Sequence, residues 1–385
     1  MIERIHTTLL KQRLRKFPVV ILIGPRQCGK TTLARSLGGR YFDMETDSDA
    51  TRLDAEWDSL AEGRDLVIID EAHFAPEVFK RLRGTIDADR RRNGRYLLLG
   101  SVSPALMRNV AESLAGRMGM VRISPLILPE MGDSRMDRLW LRGGFPDGGI
   151  LGEEMYPEWQ DAYLETLAAR DLPNWGLPAK PRETLRLMAM LGATHGQALN
   201  ASQLGSSLSM DAKTVLRYCD FLEEVFLIRR LTPFYSNIRK RLVKTPRVYW
   251  RDSGLLHALM GVDSRESLFR KPWLGQSWEG FVIEQSIATL EAVGRRFDAH
   301  FFRTSDGYEL DLVIEVQEQR WAVEIKLTSN PGTETLRRLS KTAAMAGATK
   351  SFMVCRIKEP IVGGSLEVLP LGPWLKRLAE PPKTN

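Results

Sequence analysis
The run Gly24-Pro25-Arg26-Gln27-Cys28-Gly29-Lys30-Thr31 has the complete spacing G-x-x-x-x-G-K-[ST], a pattern suited to holding a polyphosphate. Gly24 and Gly29 permit the turns that aim successive backbone N–H groups at phosphate oxygens. Lys30 supplies a cation for the β- and γ-phosphates, and Thr31 supplies a hydroxyl ligand for Mg²⁺. The apolar run Val19-Val20-Ile21-Leu22-Ile23 reads as a buried strand entering this loop. The stretch from Thr31 and Thr32 to Leu37 reads as a helix whose N-terminus favours anions.

A triphosphate site also needs an acidic strand end, and Leu66-Val67-Ile68-Ile69-Asp70-Glu71 provides one. Asp70 is expected to hold the magnesium through water, and Glu71 to polarise the attacking water. A third strand is expected at Tyr96-Leu97-Leu98-Leu99-Gly100, between the other two. Ser101, directly after it, reads equally as a γ-phosphate sensor and as a turn serine. Arg117 is a candidate to reach a γ-phosphate in its own or a neighbouring subunit. Arg90-Arg91-Arg92 competes for that role, although such a triple is more often a solvated helix end. Asp70-Glu71-Ala72-His73 also spells a helicase box, which carries little weight because other helicase signatures are not evident.

A second group of chemical residues lies near the C-terminus. Glu309 to Glu315 and Trp321 to Lys326 read as adjacent strands with acidic residues on an apolar background. Alternation puts Glu324 and Lys326 on one face, and hairpin pairing would bring Asp311 beside them. Two carboxylates and a lysine are the parts needed to hold Mg²⁺ and activate water for phosphodiester cleavage. Asp311, Glu324 and Lys326 resemble the motif of the PD-(D/E)XK nuclease core. That resemblance implies a further carboxylate from the preceding helix, with Glu279 the first choice and Glu284 the second. The E-x-K triplet also occurs on ordinary exposed strands, and nuclease-like domains joined to ATPases often bind without cutting.

Between these groups the charge is uneven. From Lys180 to Arg251 there are 13 Lys/Arg against 5 Asp/Glu, which accounts for the whole formal net charge of +7. The interval reads as a helix-turn-helix, with helices around Leu185–Leu191, Asn200–Leu204 and Ala212–Cys219. In the third helix Val215, Cys219, Leu222 and Phe226 make one apolar stripe. Lys213, Thr214, Arg217 and Tyr218 face the other way, as a helix presented to a DNA groove requires. The segment 237–244 carries Arg239, Lys240, Arg241 and Lys244, a basic tip suited to backbone phosphates. Together they read as a winged helix, a module that binds nucleic acid or docks protein. Phosphate partners outnumber base-reading side chains, so weak sequence specificity is expected.

The elements around Gly24–Thr32 and Asp70-Glu71, with Leu99-Gly100-Ser101, Ser113-Leu114-Ala115-Gly116-Arg117 and Gly143-Gly144-Phe145-Pro146, resemble the prokaryotic AAA-type ATPases with a C-terminal DUF4143 region. The resemblance covers most of the chain and implies an AAA+ type P-loop domain, a winged helix and a restriction-endonuclease-like domain. One departure is local: Ala72-His73 stands where the family tends to have an aliphatic residue and glutamine.

The rest of the chain must position these groups. Its 385 residues exceed the size of one core, and 43% hydrophobic with 27% charged content is ordinary for a soluble globular protein. The expected fold is α/β: an ATPase core over 1–125, a helical lid-like region over 126–180, a winged helix over 181–260 and a nuclease-like α/β domain over 270–385. Cys28, Cys219 and Cys355 are too scattered for a disulfide framework or zinc site. No signal-peptide core or membrane-length apolar stretch is evident, so a cytoplasmic, membrane-free protein is expected.

Three function classes remain open at this stage. One is an ATP- and Mg²⁺-dependent remodeller of duplex or branched DNA, acting as a homo-oligomer such as a hexameric ring. The second is a nucleotide-gated, metal-dependent nuclease. The third is a nucleotide-controlled binding switch or regulator.

Overall fold
The computed structural model describes residues 2–100, 114–152, 154–177, 180–234 and 245–380. Its first sheet contains β1 (Val19–Ile23), β2 (Arg40–Asp43), β3 (Val67–Asp70), β4 (Tyr96–Gly100) and β5 (Met118–Arg122). The order is β2-β3-β4-β1-β5, and every pairing is parallel. All five residues of β1 are buried because both sheet faces are covered. Val20 and Leu22 face Leu9 and Leu10 of α1 (His6–Lys16) and Leu33 of α2 (Lys30–Arg35). Val19, Ile21 and Ile23 turn to the other side. There they meet the core residues of α3 (Asp47–Glu62) and α4 (Pro76–Ala88). This mixed α/β architecture with a parallel P-loop sheet is that of an AAA+ type ATPase domain.

After this sheet come α5 (Met136–Arg142), α6 (Glu158–Thr166) and a π-helical turn, Leu167–Asp171. Three helices follow: α7 (Pro181–Ala193), α8 (Ala201–Leu208) and α9 (Ala212–Glu224). Asn200 caps α8 by accepting the Gln203 N–H, and Asp211 caps α9 by accepting that of Thr214. Two parts of the expected third helix are corrected. Tyr218 is 2% exposed and packs into the core instead of facing outward. Phe226 lies beyond the end of α9 with a positive φ of 64°, so it is not on the helical stripe.

The strands β6 (Ile228–Pro233) and β7 (Arg247–Trp250) form an antiparallel hairpin, and β6 then pairs in parallel with β8 (Phe297–Arg303). It thereby extends a sheet that continues through β9 (Glu309–Val316), β10 (Gln319–Ile325), β11 (Lys350–Val354), β12 (Ile361–Gly363) and β13 (Leu366–Leu369). The full order is β12-β13-β11-β10-β9-β8-β6-β7. The hairpin is therefore continuous with the C-terminal sheet. Packed against these strands are α10 (Ser253–Leu259), α11 (Leu274–Ala292), α12 (Thr333–Met345) and α13 (Leu371–Ala379).

One buried carboxylate joins the segment around Gly144 to these later elements. Asp252 caps α10 through the Leu255 N–H at 3.0 Å and also accepts the Gly144 N–H at 2.8 Å. Burial pushes its carboxyl up to about 6, against the lowering effect of those N–H groups. Gly143, with φ 76° and ψ −176°, occupies backbone space that is essentially glycine-only. A Cβ on Gly143 would lie 2.0 Å from Asp252 Oδ1. Gly143→Ala should therefore destabilise the fold by about 2–5 kcal/mol, combining backbone strain with overpacking. A thermal melt should show a clear fall in midpoint, and an unchanged midpoint would contradict this account of the junction.

Candidate functional site
The phosphate loop leaves β1 at the sheet edge where β3 and β4 also end, because Ile23 pairs with Gly100 and Asp43 with Asp70. Gly29, at φ 97°, makes the turn into α2. Lys30 is buried, and its Nζ donates to the carbonyls of Gly24 at 3.2 Å and Pro25 at 2.8 Å. The Thr31 hydroxyl donates to Asp70 Oδ2 at 2.6 Å, so the two expected magnesium ligands are in direct contact. Tyr41 on β2 donates to the same oxygen at 2.8 Å, while the Glu71 N–H binds Asp70 Oδ1 at 2.9 Å.

Glu71 takes a left-handed backbone, φ 47°, and lies 3.2 Å from His73 Nδ1. Burial acts to raise its carboxyl, but His73, Lys30 and Arg26 outweigh that and hold it below the usual carboxylate range. Glu71, Lys30 and Arg26 line a cleft of about 570 Å³. Arg26, Lys30 and Thr31 form its floor, and Trp159, Tyr163 and Arg170 face them from α6 and the π-helical turn. Cys28 is buried and reduced. Arg4 fastens this loop from behind, donating to Cys28 O at 2.8 Å and Ser124 O at 2.6 Å. The same guanidinium pairs with the fully buried side chain of Glu130 at 2.9 Å.

Arg117 is placed differently from the expectation for its own subunit. Because β5 runs parallel to β1 with Met118 beside Val19, Arg117 lies at the amino ends of the strands. At about 3.3 Å per residue this is on the order of 17 Å from the loop edge. It forms a two-pronged pair with Asp87 at 2.9 and 3.0 Å, and Arg90 joins the same carboxylate. Arg92 donates to the carbonyls of Ala61 and Glu62. Neither Arg117 nor Arg92 approaches its own phosphate loop. Ser101 lies outside the described residues.

In the C-terminal sheet the register pairs Val323 with Leu312, so the next step faces Glu324 toward Asp311. Asp311 is buried and accepts the Ile325 N–H at 2.7 Å. Burial first, then the charges of Glu279 and Glu324, push its carboxyl well above the usual range. The Glu324 carboxylate holds Lys326 Nζ at 2.7 Å. Glu279 accepts the Tyr249 hydroxyl at 2.6 Å and has Arg247 at 3.7 Å. The four expected residues thus share one neighbourhood, yet each carboxylate already has a protein partner. Among the described residues no group of three or more His, Cys, Asp or Glu is arranged to hold a metal ion. Glu284, the second choice, points elsewhere and pairs with Arg229 at 2.5 Å and Arg251 at 3.2 Å.

Lys213 and Arg217 are exposed on α9. Arg239, Lys240, Arg241 and Lys244 lie outside the described residues. A polar cleft of about 810 Å³ separates the start of α8 from Arg247, Glu279 and Arg303. Sequence reasoning missed Tyr41, Arg4, Arg247 and Tyr249 as site residues. The position of Tyr41 on the strand beside Asp70 was a usable signal, whereas a lone arginine near the terminus carries none.

Three family models match the chain. Residues 16–132 match an AAA domain, residues 133–266 a domain of unknown function (DUF8612), and residues 274–374 a domain of unknown function (DUF4143). Uncharacterized protein Rv2008c of Mycobacterium tuberculosis is 41% identical over 327 residues, spanning 84% of this chain and 73% of the relative. Uncharacterized protein Mb2031c of Mycobacterium bovis matches with the same identity and coverage. The Walker-type ATPase PABY2304 of Pyrococcus abyssi aligns at TM-score 0.45 and 15% identity, covering 66% of this chain and 94% of that one. The Bacillus subtilis DNA clamp loader delta protein aligns at TM-score 0.23 and 14% identity, covering 57% and 88%. Likenesses at these scores add nothing to the assignment. It rests on the matched domains and the 41% identical relatives: the chain belongs to the family of AAA-type P-loop ATPases that carry a C-terminal DUF4143 region.

Proposed function
We propose that the protein hydrolyses ATP and uses the cycle to move or remodel DNA. The observation that carries the ATPase reading is the convergence of Lys30, Thr31, Asp70 and Glu71 at one edge of a parallel sheet, under a lid. Thr31 and Asp70 present hard oxygen donors side by side, which suits Mg²⁺ completed by water and phosphate oxygens. When bound, that ion would supply positive charge against the β- and γ-phosphates. Lys30 would exchange its loop carbonyls for phosphate oxygens. Glu71, kept ionised by its neighbours, would accept a proton from the attacking water. The water oxygen bonds to the γ-phosphorus as the bond to the β–γ bridging oxygen breaks, releasing ADP and phosphate.

In this reading residues 1–125 are the ATPase core, 126–180 the lid, 181–260 a winged helix and 270–385 a nuclease-like domain that grips DNA. Support for DNA comes from the local positive charge and from Lys213 and Arg217 on the exposed side of a capped helix. A second polar surface is the cleft between the start of α8 and Glu279, which Arg247 and Arg303 also line. Arg117, remote from its own loop, would serve the site of a neighbouring copy in a ring. Gripping is favoured over cutting because Asp311, Glu324 and Glu279 are each engaged by protein groups. No helix among the described residues is long and apolar enough to cross a membrane.

Lys30→Ala should abolish ATP binding, read with a fluorescent nucleotide. Glu71→Gln should still bind ATP but hydrolyse it about 100-fold or more slowly in a phosphate-release assay. Wild-type turnover by Glu71→Gln would remove its assigned role.

The double variant Lys213→Glu/Arg217→Glu should weaken duplex-DNA binding. It should also flatten the plot of log affinity against log salt by about 1.8, at about 0.9 per lost phosphate contact. An unchanged slope in the folded variant would move the DNA contact elsewhere. DNA incubated with the protein and Mg²⁺ or Mn²⁺ should stay intact, and cleavage lost in Glu324→Ala would establish the nuclease alternative.

A further inference from the structure
We propose that Arg26, inside the phosphate loop, is the γ-phosphate contact of its own subunit and is aimed there by Asp171 of the lid. The proposal rests on the nucleotide reading of the loop and goes beyond it by assigning a catalytic residue that the G-x-x-x-x-G-K-[ST] pattern does not specify. Arg26 occupies one of the four variable positions of that pattern.

The geometry singles it out. Gln27, the next residue, has a positive φ of 59°, a sharp local turn in the loop. The Arg26 guanidinium crosses the cleft to Asp171, with Nη1 2.5 Å from Oδ1. Asp171 is 3% exposed and sits in the π-helical turn, so this is a contact between loop and lid. Glu45 stands at 3.7 Å on the other side. Arg26 lines the same cleft as Lys30, Thr31 and Glu71, and its charge and that of Glu71 act on one another. Arg26 and Glu71 also line together the smaller cavity that His73 and Asp171 share, so the guanidinium stands on the Glu71 side of the cleft, beside the residue assigned to the attacking water.

A guanidinium is a planar fork of five donors. Nη1 of Arg26 donates to Asp171 while Nη2 faces Glu45 only at 3.7 Å, beyond hydrogen-bond reach, so that the fork can turn Nη2 and Nε to a second anion without breaking the Asp171 contact. Asp171 therefore tethers one end of the fork through a charge-assisted hydrogen bond. In the transition state, negative charge spreads over the γ-phosphoryl oxygens, and a preorganised arginine stabilises it. Arg170 reaches the same cleft but is largely exposed and lies 3.9 Å from Asp171, so it lacks this anchor.

The test is a comparison of nucleotides. Arg26→Ala should bind ADP as the parent does but bind a non-hydrolysable ATP analogue about tenfold more weakly, since only the latter has the contact. Its kcat for ATP should fall about 100-fold or more. Removing Arg26 alone leaves Asp171 buried and unpaired, so the double variant Arg26→Ala/Asp171→Asn should be measured as well, with the same selective loss expected. Equal weakening of ADP and the analogue, or the selective loss appearing in Arg170→Ala and not in Arg26→Ala, would overturn the assignment. A wild-type protein that binds neither nucleotide would overturn both this proposal and the nucleotide reading.

Discussion
Asp252 holds the molecule's parts in register. One of its oxygens closes the N-terminus of α10, and the other takes the N–H of Gly144 from the segment that enters the lid. A buried carboxylate needs such donors, and breaking a buried charged contact is costly. The backbone can come that close only because residue 143 has no side chain. Beyond this junction, the Phe145 ring packs tilted against those of Trp159 and Tyr163, at ring separations of 5.3 and 5.0 Å. Trp159 and Tyr163 line the cleft opposite the phosphate loop, so its shape depends on a junction between segments over a hundred residues apart in sequence.

The cleft is also supported from behind. Arg4, His6 and Glu130 form a buried group between the phosphate loop and the one-turn helix Leu128–Met131. Burial acts to raise the Glu130 carboxyl, yet His6 and Arg4 outweigh it and keep it below the usual range. Hydrogen bonds to charged groups are worth about 1.5–3 kcal/mol each. Arg4 reads the loop through the Cys28 carbonyl, so it constrains backbone conformation without depending on the residue type at position 28.

The C-terminal sheet shows the same economy of charge. Arg247 and Tyr249 come from β7, the outermost strand, and reach Glu279 on α11, while Arg247 also pairs with Glu309 on β9. Burial acts against the charged form of Arg247, but Glu309, Glu279 and the Tyr249 hydroxyl more than offset this and push it upward. A guanidinium thus supplies positive charge in a carboxylate-rich corner. The hairpin that follows α9 is by this route joined to Glu279 on α11 and Glu309 on β9.

Local chemistry was legible from the chain alone. The phosphate loop depends on glycine, lysine and threonine at fixed spacing, and the acidic strand end on an apolar run closing in Asp70-Glu71, so both could be read directly. Alternation on β10 likewise put Glu324 and Lys326 on one face, and hairpin register brought Asp311 to them. What sequence could not decide was which distant groups meet. Arg117 is open by sequence to its own or a neighbouring site, and only strand pairing puts it at the amino end of the sheet, away from its own phosphate loop. Tyr218 lies among outward-facing residues by helical spacing, yet neighbouring helices bury it. Arg26 and Asp171 lie far apart in sequence and carry no joint signal. Their 2.5 Å contact exists only because the turn Leu167–Asp171 packs back against the loop, a return set by tertiary packing.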